Sequence, residues 1–163
     1  MFFHRALSGI FFILAVLVMS CTAKIPLSEK GITIAVWDLD DLTPSTLARP
    51  PLGDLLSNQI IAALKKRGGY LVVERERLLL VLQELRLGTT LLTDETTRLK
   101  LGRLVGAQRM IFGGYQIIGD QMRLDLRLLE VESGKVLKAV QKTTTAADLP
   151  AWLDAAQKAA EEL

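Results

Sequence analysis

Cys21 is the one thiol in the chain, and its neighbours decide what it can do. His4 and Arg5 form a short basic start. Ala6 to Met19 (ALSGIFFILAVLVM) is almost wholly apolar, and small Ser20 precedes the cysteine. Basic start, apolar run and small residue are the grammar of a secretory signal peptide. Its last four residues, Val18-Met19-Ser20-Cys21, resemble a bacterial lipobox, with Met19 less usual there than a small residue. The expectation is cleavage between Ser20 and Cys21, with the thiol thioether-linked to a diacylglycerol. One acyl chain holds a protein marginally, whereas two or more anchor it stably. The competing reading, an uncleaved membrane anchor, needs ~20 apolar residues to span a bilayer, and the run is short for that.

The second constellation is acidic. Asp38 and Asp40 stand two residues apart after an apolar run, with Asp41 adjoining. In haloacid-dehalogenase-type phosphatases, aspartates so spaced serve as phosphorus nucleophile and acid/base. That chemistry also needs a lysine to bind phosphate charge and further carboxylates to hold magnesium. No later strand end offers an acidic pair, because Asp120 falls in a turn and Asp125 within a strand. The aspartates are therefore read as solvating a strand end and shaping a turn. Were a metal bound, Asp38, Asp40 and Asp41 would be the first suspects.

Loss of residues 1–20 removes His4, the only histidine, and acylation consumes the only thiol. Histidine bases, Ser-His-Asp triads, Cys-His nucleophiles and His- or Cys-ligated zinc or iron are then excluded. Catalytic residues, cofactors, metals and a small-molecule substrate are not expected. The 20 basic and 18 acidic residues nearly balance, whereas nucleic-acid binding needs a concentrated basic face. The densest cations, Lys65, Lys66 and Arg67, close a predicted helix, where they meet the negative end of its dipole, a reading preferred here to a membrane or phosphate patch.

The elements that position these residues follow from pattern. Thr22 to Gly31 reads as a polar tether; ten residues reach at most ~35 Å, which keeps the domain close to its membrane. Ile32 to Trp37 (ITIAVW) reads as a buried strand, and Asp38 to Pro51 as a loop. A helix starts near Pro51, buries Leu52, Leu55, Leu56, Ile60, Ala63 and Leu64, and stops at Gly68-Gly69. Tyr70 to Val73 is a second strand, joined to the first by a right-handed crossover in one sheet. Leu78 to Leu87 is a helix with Leu78, Val81, Leu82 and Leu85 on one face. Leu79 and Leu80 lie off that face, and either contact the next helix or form an interaction surface. Thr93-Asp94 caps a helix bearing Leu99, Leu101 and Leu104 that ends near Gly106.

Three strands follow, Arg109 to Ile118, Met122 to Val131 and Val136 to Thr144, with tight turns at Gly119-Asp120 and Ser133-Gly134. Met122, Leu124, Leu126 and Leu128 alternate with Arg123, Asp125 and Arg127, the period of a sheet with one wet face. Asp148 caps a last helix whose Leu149, Trp152, Leu153 and Ala156 face the core. The fold class is α+β: one domain, ordered β-α-β-α-α-β-β-β-α, with helices packed on a mixed sheet. Residues 1–20 are the expected signal peptide, 21–31 the lipidated tether and 32–163 the folded domain.

Four segments together resemble the CsgG-related domain of bacterial envelope lipoproteins. They are Ile34-Ala35-Val36-Trp37-Asp38-Leu39; Tyr70-Leu71-Val72-Val73-Glu74-Arg75 with Leu78; Leu104-Val105-Gly106-Ala107 leading to Ile111-Phe112-Gly113-Gly114; and the turn-containing Leu128 to Leu137. Glu74 suits the positive end of the following helix, Arg75 can reach a neighbouring carboxylate, and Gly113-Gly114 marks a bend or the close approach of another backbone. The curli channel of that family carries two long hairpin insertions that form a barrel. Here the corresponding connections are Gly119–Gln121 and Thr145–Ala147, while each membrane strand takes ~9–11 residues.

The resemblance implies a non-enzymatic outer-membrane lipoprotein that scaffolds or assists an envelope assembly or secretion machine, curli-like or of the FlgO flagellar type. It faces the periplasm and acts through a protein partner or self-association. Thr22, rather than aspartate, after the cysteine favours the outer membrane. The alternative is activation of a peptidoglycan synthase, as in LpoB-type relatives, which use a longer linker.

Overall fold

The computed structural model describes residues 31–44, 52–84, 94–145 and 148–163. The residues read as signal peptide, 1–20, together with Cys21, the residues up to 30 read as tether, Pro51, Leu85, Leu87 and Thr93 lie outside the described residues. The elements are β1 (Ile32–Val36), β2 (Asp40–Asp41), α1 (Gly53–Arg67), β3 (Tyr70–Val72), α2 (Arg75–Glu84), α3 (Glu95–Leu104), β4 (Arg109–Ile118), β5 (Gln121–Glu130), β6 (Val136–Thr144) and α4 (Leu149–Glu162).

One mixed sheet runs β3-β1-β4-β5-β6. The apolar β1 is parallel to both neighbours, with Ile32 opposite Tyr70 and Ile34 opposite Arg109. Parallel neighbours need a crossover, which α1 supplies between β1 and β3. From β4 onward the sheet is an antiparallel meander. The expected element order holds, with one addition inside the segment read as loop. Asp40 and Asp41 form β2, which pairs parallel with Gly114 and Tyr115 further along β4.

The alternating pattern of β5 decides the layers. Met122, Leu124, Leu126 and Leu128 are buried in the main core with Ile34, Val36, Ile111, α1 and α4. On α4, Ala155, Ala156, Ala159 and Ala160 form the buried stripe, small enough for close approach to Leu56, Ile60 and Leu64. The other face buries less. There Ala35, Met110, Phe112, Leu129 and Val131 meet Leu78 of α2 and Val105 after α3. Leu78 is the one buried residue of α2.

Three leucines expected in the core are exposed instead: Leu55, Leu104 and Leu149. Leu104 and Leu149 are the terminal residues of their helices, and Leu55 lies beside a stripe already filled by Leu52, Leu56 and Ile60. The boundaries read from caps hold. Asp94 and Asp148 accept hydrogen bonds from the backbone N–H groups of Thr97 and Ala151 at 3.1 and 2.9 Å. Gly68 ends α1 with φ at 75°, a conformation glycine adopts without steric cost.

Candidate functional site at the strand-end aspartates

The chain leaves β1 through Trp37-Asp38-Leu39-Asp40-Asp41, and nearly every residue of this loop is tied to a different element. Ser57 of α1 holds its backbone: the buried hydroxyl accepts from Leu39 N–H at 3.1 Å and donates to the Trp37 carbonyl at 3.3 Å. A Cβ on Gly53 would stand 2.4 Å from the Leu39 carbonyl oxygen, so the start of α1 presses directly on the loop backbone.

Asp38 takes the fork of Arg75, the first residue of α2, with Nε and Nη2 donating at 2.8 and 2.7 Å. Asp54 stands 3.2 Å from the same guanidinium. A cation at a helix N-terminus opposes the dipole, and these two carboxylates offset that. The hydrogen bond to Asp38, against the opposing effect of burial, raises the Arg75 pKa above its ordinary value. The expectation that Arg75 reaches a neighbouring carboxylate is met. Glu74, read as favouring the helix start, pairs with Lys65 at 2.7 Å.

Asp40 takes a second fork, from Arg98 of α3, with both nitrogens at 2.9 Å. Arg98 is buried among the helix's core positions, and its guanidinium carbon lies 5.5 Å from the centre of the Trp37 ring. That distance suits a cation–π contact. Asp41 accepts from Thr43 N–H at 2.9 Å and from the hydroxyl of buried Tyr115. The Tyr115 oxygen in turn accepts from Leu52 N–H at 3.3 Å. It thereby caps α1, whose own N-cap residue, Leu52, makes no side-chain cap bond. Burial, followed by the hydrogen bond to Asp41, pushes the Tyr115 pKa up to about 12.

The reading of these aspartates as turn-shaping, solvating residues is correct for Asp41 and incomplete for the other two. Asp38 and Asp40 fasten α2 and α3 to the sheet. Among the described residues, no three His, Cys, Asp or Glu side chains converge as a metal site would require. A nucleophilic Asp38 would first have to give up Arg75. The cleft beside it, lined by Trp37, Asp38, Arg75, Leu78, Leu79 and Leu82, has a volume of about 30 Å³. Ligand pockets run to ~300–1,000 Å³.

Gly113 and Gly114 serve close approach, as read. A Cβ at Gly113 would lie 2.3 Å from the Asp125 carbonyl oxygen, and one at Gly114 would lie 3.0 Å from that of Asp40. Leu79 and Leu80 remain 37% and 58% exposed on α2. Sequence reasoning missed Ser57, Arg98 and Tyr115. For Arg98, the available signal was its position one residue before Leu99 on a helix otherwise assigned by leucines.

This architecture, a mixed sheet with a β4–β5–β6 meander and helices on both faces, is shared with several solved bacterial proteins. It resembles the LpoB C-terminal domain from Salmonella enterica, with a TM-score of 0.60 at 19% identity, covering 70% of this chain and 82% of that one. Lipoprotein GNA1162 from Neisseria meningitidis gives 0.56 at 18% identity, over 69% and 78%. A PelC dodecamer from Paraburkholderia phytofirmans gives 0.54 at 13%, over 79% and 85%. No protein of curated function matches the sequence. The family model for the curli production assembly/transport component CsgG matches residues 18–118, and the chain belongs to that family.

Proposed function

We propose that this protein is a lipid-anchored, non-enzymatic accessory of an envelope assembly or secretion machine, acting through protein contacts. The observation that carries the reading is family membership. The matched stretch begins at Val18, the first residue of the lipobox-like tetrapeptide, and runs to the end of β4. In this reading residues 1–20 are removed, Cys21 carries the lipid, 21–31 is the tether and 32–163 is the periplasmic domain. The outer membrane is the home that Thr22 favours, and Leu79 and Leu80 form the contact surface.

Two structural features support an accessory over a pore or an enzyme. The β4–β5 connection is the two-residue turn Gly119-Asp120, far short of a membrane-spanning hairpin. The carboxylates best placed for chemistry are bound by arginine forks. Activation of a peptidoglycan synthase is the second reading, favoured by the fold likeness to LpoB.

Metabolic fatty-acid labelling of wild type and Cys21→Ala, with membrane fractionation, tests the anchor; unlabelled wild-type protein sinks it. Photo-crosslinking in living cells from position 80 then separates the roles. Adducts with secretion or flagellar components support the first reading, and an adduct with a peptidoglycan synthase replaces it with the second.

A further inference from the structure

The chain reaches the folded domain at Gly31, and the sheet shows which end of the molecule that is. Ile32 pairs with Tyr70, the first residue of β3, and Thr33 accepts from the N–H of Gln108, just before β4. The C-termini of α1 and α3 lead into those two strand starts, so they share this end with Gly31. A Cβ on Gly31 would stand 3.2 Å from Leu71 Cγ. The surface around this point carries the exposed cations Lys65, Lys66 and Arg67 of α1 and Arg103 of α3. Among them sit two exposed leucines, Leu71 at 51% and Leu104 at 59%.

The far end has the opposite character. There β1 gives way to Asp38, Asp40 and Asp41, α1 opens with Asp54, and the β4–β5 turn carries Asp120. Arg75 and Arg98 offset Asp38 and Asp40 there, and Glu130 and Glu132 stand at the Gly31 end, so the contrast between the ends is one of surplus charge. The carboxylates in reach of Lys65 and Arg103 are Glu74 and Glu132, and both pairs are largely solvent-exposed. Such pairs are weak and leave Lys65 and Arg103 available to a larger anionic surface, while Arg67 also donates from Nη1 to the Ala160 and Glu161 carbonyls.

Resting on the lipid anchor at Cys21, we propose that the Gly31 end of the domain lies against the phospholipid surface that holds the anchor. Lys65, Lys66, Arg67 and Arg103 meet lipid phosphates, and Leu71 and Leu104 reach the interface. A ten-residue tether spans at most ~35 Å, and basic residues are attracted to an anionic surface within a Debye length. The aspartate loop is thereby turned away from the membrane, toward whatever the domain assists.

The test uses the full acylated chain in vesicles of phosphatidylethanolamine and phosphatidylglycerol doped with a diazirine phospholipid. Peptides are mapped by mass spectrometry after irradiation. Labelling should concentrate in residues 65–71 and 103–109, and spare 114–123. Lys65→Gln/Lys66→Gln should lower the ratio of the two ends by up to about 25-fold at low salt, five-fold per lysine. Omitting phosphatidylglycerol should lower it likewise. Equal labelling of both ends, labelling centred on the β4–β5 turn, or a ratio unmoved by either change overturns the proposal. Intact mass reads the anchor separately. If Cys21 carries no acyl group, the anchor reading fails, and coupling its free thiol to a maleimide lipid decides the contact on its own.

Discussion

If Asp40 fastens α3 to the sheet, its removal should cost far more than loss of an ordinary surface ion pair. The Arg98 side chain is 11% exposed and that of Asp40 47%, so truncating the aspartate leaves a nearly buried guanidinium facing a partly wet gap. Breaking a buried ion pair by removing one partner costs about 3–5 kcal/mol. Water entering from the Asp40 side recovers part of that, and Asp40→Ala should destabilise by about 2–3 kcal/mol. Arg98→Ala should cost about 3 kcal/mol, because it also loses the stack on Trp37 and the packing of its stem. If the pair acts as a unit, the double variant should fall short of the sum by about 1.5–2 kcal/mol. Urea unfolding at neutral pH gives the four stabilities. The Asp154–Lys158 pair, exposed on both sides, is the control and should show no measurable coupling. An Asp40–Arg98 coupling no larger than that control would refute the fastening argument. Amide exchange adds a local readout: in Asp40→Ala, α3 should exchange faster while β4 and β5 stay protected.

Gly113→Ala should destabilise by about 1–3 kcal/mol, because the added Cβ meets a backbone oxygen of the neighbouring strand, which cannot move aside as the nearby Leu126 side chain can. A melting temperature unchanged by the substitution would show that the strands relax freely. Tyr115 gives a pH signature. Its folded pKa of about 12 lies above the ordinary value of 10.0, so the folded state holds the phenol proton more tightly. The stability this contributes is fully present below about pH 10 and is lost as pH rises towards about 12. Tyr115→Phe should therefore flatten the alkaline slope of stability; parallel slopes in the two proteins would contradict the assigned network. Leu79→Glu/Leu80→Glu should abolish self-association in sedimentation, with circular dichroism confirming that the domain stays folded. Unchanged association would move the interface elsewhere.

Local signals were legible in the sequence, whereas of the long-range polar pairs only Arg75's need for a carboxylate was, and not which one. The caps at Asp94 and Asp148, the glycine stop at Gly68 and the alternation of β5 each depend on residues within a few positions of one another. The structure places all of them as read. The forks join Asp38 to Arg75 and Asp40 to Arg98, across 37 and 58 residues. No periodicity connects such partners. β2 escaped notice for a related reason: two exposed aspartates carry no strand pattern, and they pair where Gly114 of β4 lets the Asp40 backbone come close. Leu104 and Leu149 misled in the opposite sense, since helical spacing does not show where a helix outruns the sheet beneath it.

The division between the two faces gives the aspartate loop its significance. The α1–α4 layer rests on a broad apolar core and a stripe of alanines. The α2–α3 layer has a smaller core, with a single buried residue from α2. Hydrophobic contact alone fixes position only loosely when so little is buried, whereas a bidentate arginine–carboxylate pair also fixes angle. Two such pairs from neighbouring loop residues set both helices at once. Ser57 and Tyr115 tie the same loop to α1 and β4, so the weaker layer is registered against the stronger one. Leu79 and Leu80 lie on the helix so held, and the orientation of that helix is what the loop secures. Asp38 and Asp40, the carboxylates that most resembled catalytic groups in the sequence, thus contribute to the fold as partners of Arg75 and Arg98.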